Sequence, residues 1–159
     1  MIRVLFVCLG NICRSPMAEG VFAHQVAQAG LSDQFQIDSA GTSDWHKGET
    51  AHKRTLGILT ARSIPYDNRS RPLSLKDAES FDVIVVMDAT NLSDTKKLFQ
   101  GSKHAPEIRL FLQDAYDAGL VKVKEVPDPY YTDRYEDVYE LVETGSKALL
   151  ARLRREHGI

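Results

Sequence analysis

The sequence predicts an α/β fold in which helices cover both faces of a mainly parallel sheet. Short runs rich in β-branched and apolar residues alternate with helical patterns, as in chains that form parallel sheets. Val4–Val7 and Val83–Val86 lack polar alternation, which is typical of central strands, so we expect these two to be neighbours. The four predicted strands are Ile2–Val7, Phe35–Asp38, Val83–Met87 and Ile108–Leu112.

The first helix has clear boundary signals. Ser15 is a good N-cap, Pro16 suits the first helical position and Gly30 ends the pattern. One apolar stripe runs along this helix, formed by Ala18, Val21, Phe22, Val26 and Ala29.

Three further helices are predicted, over about residues 50–62, about residues 90–99, and from Asp133 towards the C-terminus. Asp133 and Glu136 have the spacing of a capping pair. The last helix carries an apolar face formed by Val138, Leu141, Val142, Leu149 and Leu153. Before it, residues 115–131 form a long loop with two prolines, and long loops in compact domains are often functional.

Composition limits the function classes. The 159 residues, 43% hydrophobic and 26% charged, suit one globular domain over residues 1–159. A net charge of -2 gives no field that would hold nucleic acid or anionic lipid, and no apolar run reaches the roughly 20 residues of a membrane span. We expect a cytoplasmic protein, mainly monomeric with at most weak self-association, and no nucleic-acid or membrane partner.

Two cysteines, Cys8 and Cys13, are too few for a disulfide scaffold or a zinc site with four thiolates. Cys8 ends the first strand, and the loop to Ser15 leads into the first helix. Backbone N–H groups of such a loop and the positive helix N-terminus form an anion cradle. Gly10 and Asn11 tolerate the positive φ that a tight loop requires.

A cysteine at a strand end is usually an inert small hydrophobe, so the cradle is what points to chemistry. The thiolate is the nucleophilic form, and the cradle, Arg14 and the Ser15 hydroxyl all favour it at Cys8. The planar guanidinium of Arg14 can hold two phosphate oxygens at once. The loop therefore predicts phosphate binding with a nucleophilic sulfur.

At these residues the sequence resembles the low-molecular-weight protein tyrosine phosphatases. Residues 7–19, Val-Cys-Leu-Gly-Asn-Ile-Cys-Arg-Ser-Pro-Met-Ala-Glu, look like that family's signature. Further matches follow in the family's order along nearly the whole chain: Asp38-Ser39-Ala40-Gly41-Thr42, Asp44-Trp45-His46, Met87-Asp88 with Asn91, and Asp128-Pro129-Tyr130-Tyr131.

The resemblance implies a three-layer, doubly wound fold with four parallel strands, and hydrolysis in two steps through a phosphocysteine on Cys8, without metal or cofactor. It implies that Asp128 acts as general acid and then as base, although an Asp-Pro pair by itself is more often only a turn. It also implies that Ser39 and Asn11 support the loop and that Trp45, Tyr130 and Tyr131 wall the substrate cleft. The loop residues expected to bind phosphate are Leu9, Gly10, Asn11, Ile12, Cys13 and Ser15.

The expected substrates are phosphotyrosine proteins or peptides and small aryl phosphates, with inhibition by phosphate-like oxyanions. Ile12 favours phosphotyrosine, because relatives that prefer phosphoarginine carry threonine there. Cys13 either resembles the family's redox partner of Cys8 or only fills the underside of the loop. Asn68 stands where the family often has histidine, so one hydrogen bond supporting Asn11 is expected to differ.

Three alternatives stay open: a phosphoarginine phosphatase, an arsenate reductase of the same fold, and a phosphate-binding module without turnover. The thioredoxin-coupled reductase relies on further cysteines in the second half of the chain, and this sequence has none after Cys13. Cys8, Arg14 and Asp128 are all present, so nothing in the sequence indicates a lost catalytic group.

Overall fold

The computed structural model describes residues 1–159 and contains one four-stranded sheet. The strands are β1 (Ile2–Cys8), β2 (Phe35–Gly41), β3 (Val83–Val86) and β4 (Glu107–Leu110). All pairings are parallel, and the order is β2-β1-β3-β4. The predicted neighbours β1 and β3 pair at the centre, which confirms the α/β prediction.

Seven helices connect and cover the strands, and a short 3-10 turn precedes β2 at Ser32–Gln34. The helices are α1 (Arg14–Gln28), α2 (Lys53–Ala61), α3 (Asp77–Ser80), α4 (Ala89–Phe99), α5 (Gln113–Asp117), α6 (Pro129–Thr132) and α7 (Tyr135–His157). None of them is both long and apolar enough to cross a membrane.

Two apolar cores lie on opposite faces of the sheet, because side chains alternate along a strand. Phe6 of β1 points into the larger core, where its ring makes edge contacts with Phe22 of α1 and Phe111. Leu5 and Val7 belong to the smaller core on the other face. The three predicted layers are therefore present.

The predicted start of α1 is wrong by two residues. The helix begins at Arg14 after Cys13, and Pro16 is its third residue. Ser15 does not cap the helix, because its hydroxyl lies 3.0 Å from the sulfur of Cys8. Ala29, predicted to belong to the apolar stripe, is exposed.

Two other helix starts also differ from prediction. Asp133 does not cap α7; it ends α6 with a left-handed φ of 64° and pairs with Arg54. The helix α2 begins at Lys53, because Thr50 is held in a bridge with Arg69. The long loop is shortened as well, since α5 and α6 occupy its two ends.

The loops after β1 and β3 leave the same edge of the sheet, because adjacent parallel strands end together. Val7 pairs with Val86, so Cys8 and Met87 follow side by side. Strand β2 ends at the same edge, with Cys8 opposite Gly41. Carboxyl ends of parallel strands are where α/β folds bind ligands.

Candidate active site

The loop between β1 and α1 curves around the sulfur of Cys8. The backbone N–H of Asn11 donates to this sulfur at 3.3 Å, and the Ser15 hydroxyl lies 3.0 Å from it. Cys8 is only 3% exposed, so the sulfur faces polar hydrogens rather than bulk water. Two hydrogen-bonding groups therefore point at this sulfur.

Asn11 holds the loop in shape from beneath. Its φ of 56° is left-handed, a conformation that asparagine tolerates better than most residues. Its side-chain amide donates to the hydroxyls of Ser15 at 2.7 Å and Ser39 at 3.0 Å. Its side-chain carbonyl oxygen accepts the backbone N–H of Arg71 at 3.1 Å. Asn11 therefore connects the loop to β2 and to the segment before α3.

A buried carboxylate completes this support. Glu19 of α1 accepts the hydroxyl of Ser39 at 2.5 Å, the hydroxyl of Tyr66 at 2.8 Å and the amide of Asn68. Burial raises the pKa of Glu19 above its usual value, although these three donors oppose the shift. Asn68 therefore bonds to Glu19, and Asn11 makes three side-chain hydrogen bonds of its own.

Arg14 is buried beside the cradle with 3% of its side chain exposed. One amino group donates to Asp88 at 2.7 Å and to the carbonyl of Val126 at 3.0 Å. The other lies 3.5 Å from the carboxylate of Asp128. Burial alone would lower the pKa of Arg14, but the anionic groups around it, Cys8 first, raise it. The guanidinium therefore stays charged within the site.

A cleft of about 230 Å³ brings the predicted groups together. Asp128 stands at its edge, where one carboxylate oxygen accepts the N–H of Tyr130 at 3.0 Å and caps α6. The predicted wall residues Trp45, Tyr130 and Tyr131 are exposed at the rim. Trp45 is 68% exposed, which excludes a core role for its side chain. The lining residues predicted from the sequence are Cys8, Leu9, Gly10, Ile12, Cys13, Arg14, Trp45, Asp128, Tyr130 and Tyr131.

The remaining predicted residues lie below this cleft rather than in its lining. The side chains of Asn11, Ser15 and Ser39 are all buried, and each bonds within the network under the loop. Of the three, Asn11 directs its backbone N–H, and Ser15 its hydroxyl, at the sulfur of Cys8.

Sequence reasoning assigned no role to two residues at the site. Asp88 fixes Arg14 and also caps α4, where it accepts the N–H of Asn91 at 2.8 Å. His46 lines the cleft so closely that a Cβ on Gly10 would lie 3.0 Å from its ring. An N-cap aspartate directly after a central strand was the available signal for Asp88, whereas nothing in the sequence placed His46 over Gly10.

Cys13 lines the cleft and also contacts the last helix. Its sulfur is buried and lies 3.5 Å from the hydroxyl of Tyr135, the first residue of α7. Burial raises the pKa of Cys13 to about 11. This thiol is therefore protonated at neutral pH.

The arrangement is suited to phosphoryl transfer. A cysteine sulfur, a fixed guanidinium that can neutralise phosphate oxygens, and a carboxylate that can exchange a proton all border one cleft. No group of three or more His, Cys, Asp or Glu residues is placed to hold a metal ion.

Comparison with known proteins identifies the family of this chain. YfkJ of Bacillus subtilis, named a low molecular weight protein-tyrosine-phosphatase, is 43% identical over 157 residues, which cover 98% of each chain. A Schizosaccharomyces pombe protein named a low molecular weight phosphotyrosine protein phosphatase is 45% identical over 142 residues, covering 87% of this chain and 88% of that relative.

Solved structures give the same result. The crystal structure of YfkJ matches with a TM-score of 0.90 at 42% identity, covering 98% of this chain and 96% of that chain. DARP, a Drosophila arginine phosphatase, matches with a TM-score of 0.85 at 27% identity, covering 96% and 98%. The family model described as low molecular weight phosphotyrosine protein phosphatase matches residues 3–158. The chain thus belongs to the low-molecular-weight protein tyrosine phosphatases, a family of cysteine-dependent phosphate monoester hydrolases.

Proposed function

We propose that this protein hydrolyses phosphotyrosine in polypeptides, and small aryl phosphates, through a phosphocysteine on Cys8. The observation that carries the proposal is that Cys8, Arg14 and Asp128 line one cleft whose rim is aromatic. A planar phenyl ring fits between aromatic walls, and the cradle at the bottom receives the phosphate.

In the first step the Cys8 thiolate attacks phosphorus, and a sulfur–phosphorus bond forms as the bond to the phenolic oxygen breaks. Asp128 gives its proton to that oxygen, so tyrosine leaves as a neutral phenol. Arg14 and the loop N–H groups bind the equatorial oxygens, which gather charge in the transition state.

In the second step a water molecule attacks the phosphocysteine. Asp128, now a carboxylate, takes a proton from the water, the sulfur–phosphorus bond breaks, and inorganic phosphate and the Cys8 thiolate are released. The same cradle accounts for the expected inhibition by phosphate-like oxyanions.

Ile12 supports the preference for phosphotyrosine. Ile12 is 7% exposed and belongs to the cleft lining, and an apolar contact suits a phenyl ring better than a guanidinium. A family relative named an arginine phosphatase keeps phosphoarginine as the second candidate. Arsenate reduction is less favoured, because both cysteines of the chain lie in the loop itself.

One preparation tested on three substrates separates the candidates. We expect phosphotyrosine turnover, in the presence of a chelator, to exceed phosphoserine and phosphoarginine turnover at least tenfold in kcat/KM. Cys8→Ser should abolish turnover but still bind inorganic phosphate. Full activity in Cys8→Ser would remove the proposal, and a preference for phosphoarginine would replace its substrate.

The role of Asp128 has its own test. Asp128→Ala should reduce turnover most for aryl phosphates with poor leaving groups, since those depend on protonation of the departing oxygen. An equal reduction across all leaving groups would argue against the acid role. Asp133→Asn serves as the control, because it neutralises an exposed carboxylate on the same segment and asparagine tolerates the left-handed φ of 64°.

A further inference from the structure

A second and larger cavity adjoins the catalytic cleft. Its volume is about 890 Å³, against about 230 Å³ for the cleft, and Arg14 and Asp128 line both. The loop of residues 120–128 forms one side, and the α7 face with Glu140 and Leu141 forms the other. We call this cavity the flank pocket. Its size is in the range of pockets that bind ligands.

The flank pocket presents apolar side chains to solvent. Leu120 is 61% exposed and Val123 is 44% exposed, and the partly buried side chains of Val121 and Leu141 lie beside them in the lining. Contiguous exposed apolar groups next to a reactive site indicate a surface that binds something. The aromatic cleft already accommodates the phosphorylated side chain, so these groups are available to a different part of the ligand.

The charged groups of the flank pocket are mainly carboxylates. Five acidic residues line it and only two cations, Arg14 and Lys122: the acidic ones are Asp88, Glu125, Asp128, Asp137 and Glu140. Arg14 is already engaged by two of these carboxylates, and Asp137 pairs with Arg134. Glu140 is exposed and forms no ion pair. A cation on the ligand would therefore be attracted to the α7 side of the pocket.

We propose that the flank pocket binds the segment of a substrate polypeptide next to its phosphorylated residue, and that it selects an apolar side chain beside a lysine or arginine. This inference rests on the proposed function. An extended chain spans about 3.3–3.6 Å per residue, so two or three residues from the phosphorylated one reach a neighbouring cavity. Because Asp128 lines both cavities, a bound flank also covers the side of the general acid that faces away from the cleft.

The test uses three phosphotyrosine peptides and one aryl phosphate without a flank. Two peptides carry Leu-Lys, one at the second and third positions before the phosphotyrosine and the other at the same positions after it; the third carries Ser-Gly at both. We expect one of the Leu-Lys peptides to exceed the Ser-Gly peptide at least fivefold in kcat/KM. Glu140→Lys should reduce that ratio below twofold without changing aryl phosphate turnover.

One control variant and one further variant make the test specific to the flank pocket. Asp94→Lys makes the same charge change on α4, outside the flank pocket, and should leave the ratio intact. Val123→Ser removes an exposed apolar group from the pocket and should also reduce the ratio of the preferred Leu-Lys peptide to the Ser-Gly peptide, without changing aryl phosphate turnover. Equal kcat/KM for all three peptides, or a ratio that survives in Glu140→Lys, overturns the inference. An equal loss on the flankless aryl phosphate in Glu140→Lys also overturns it.

These outcomes are distinct from failure of the proposed function. If the wild-type protein hydrolyses the aryl phosphate and the Ser-Gly peptide but ignores the flank, the proposed function stands and the flank pocket is not a substrate site. If the wild type hydrolyses neither, the proposed function fails and this inference fails with it.

Discussion

An amino group of Arg14 lies 2.7 Å from a carboxylate oxygen of Asp88. The contact joins the helix that follows β1 to the helix that follows β3. Asp88 also caps α4 through its other oxygen, which ties the position of the guanidinium to the start of that helix.

Asp88→Asn should therefore impair catalysis more than folding. The amide can still cap α4, but it no longer offers a negative partner that fixes Arg14. We expect kcat/KM for an aryl phosphate to fall about tenfold, roughly 1.4 kcal/mol of transition-state stabilisation. Asp94→Asn on the exposed face of α4 is the control. An unchanged kcat/KM in Asp88→Asn would show that Val126 and Asp128 suffice to position Arg14.

Replacement of Asn11 should separate its backbone role from its hydrogen bonds. Asn11→Gly keeps the left-handed conformation but loses three side-chain bonds, each contributing roughly 0.5–1.5 kcal/mol. Asn11→Ala loses the same bonds and adds roughly 1–2 kcal/mol of backbone strain. The free energy of unfolding, measured in urea, should therefore be highest for the wild type, lower for Asn11→Gly and lowest for Asn11→Ala. Equal stability of the two variants would contradict the assigned strain.

The raised pKa of Cys13 predicts how its reactivity changes with pH. Only the thiolate reacts with iodoacetamide, and a thiol with a pKa of about 11 is almost wholly protonated at pH 7. In Cys8→Ser, labelling of Cys13 should rise about tenfold per pH unit between pH 7 and pH 9. Mass spectrometry of the alkylated protein measures the rate, and a plateau below pH 9 would be inconsistent with the buried environment of Cys13.

Two glycine substitutions, one in α7 and one in α2, test whether close packing against α7 requires a glycine. A Cβ on Gly145 would lie 2.8 Å from side-chain atoms of both Leu112 and Phe111. Gly145→Ala should destabilise the fold by about 1–3 kcal/mol through overpacking. Gly57 of α2 has no such neighbour, so Gly57→Ala should stabilise by about 0.5–1 kcal/mol. Thermal unfolding that moves both variants in the same direction would contradict this account.

Local sequence by itself determined the layers and the cradle. The apolar runs at Val4–Val7 and Val83–Val86 specify strands buried on both faces, and that requirement places them together in the centre. The cysteine, the conformationally tolerant Gly10 and Asn11, and the arginine all lie within residues 8–14. A few bonds of backbone therefore bring them to one place, whatever the rest of the fold does.

Tertiary structure decided the contacts between residues far apart in the chain. Local preference favoured Ser15 as a helix cap. In the folded state its hydroxyl instead contacts the sulfur of Cys8 and accepts the side-chain amide of Asn11. The partners of Arg14 lie 74 and 114 residues away, and the flank pocket exists only where a loop meets α7. Pairings of this kind depend on how separate elements dock, since propensity and spacing report only on neighbours along the chain.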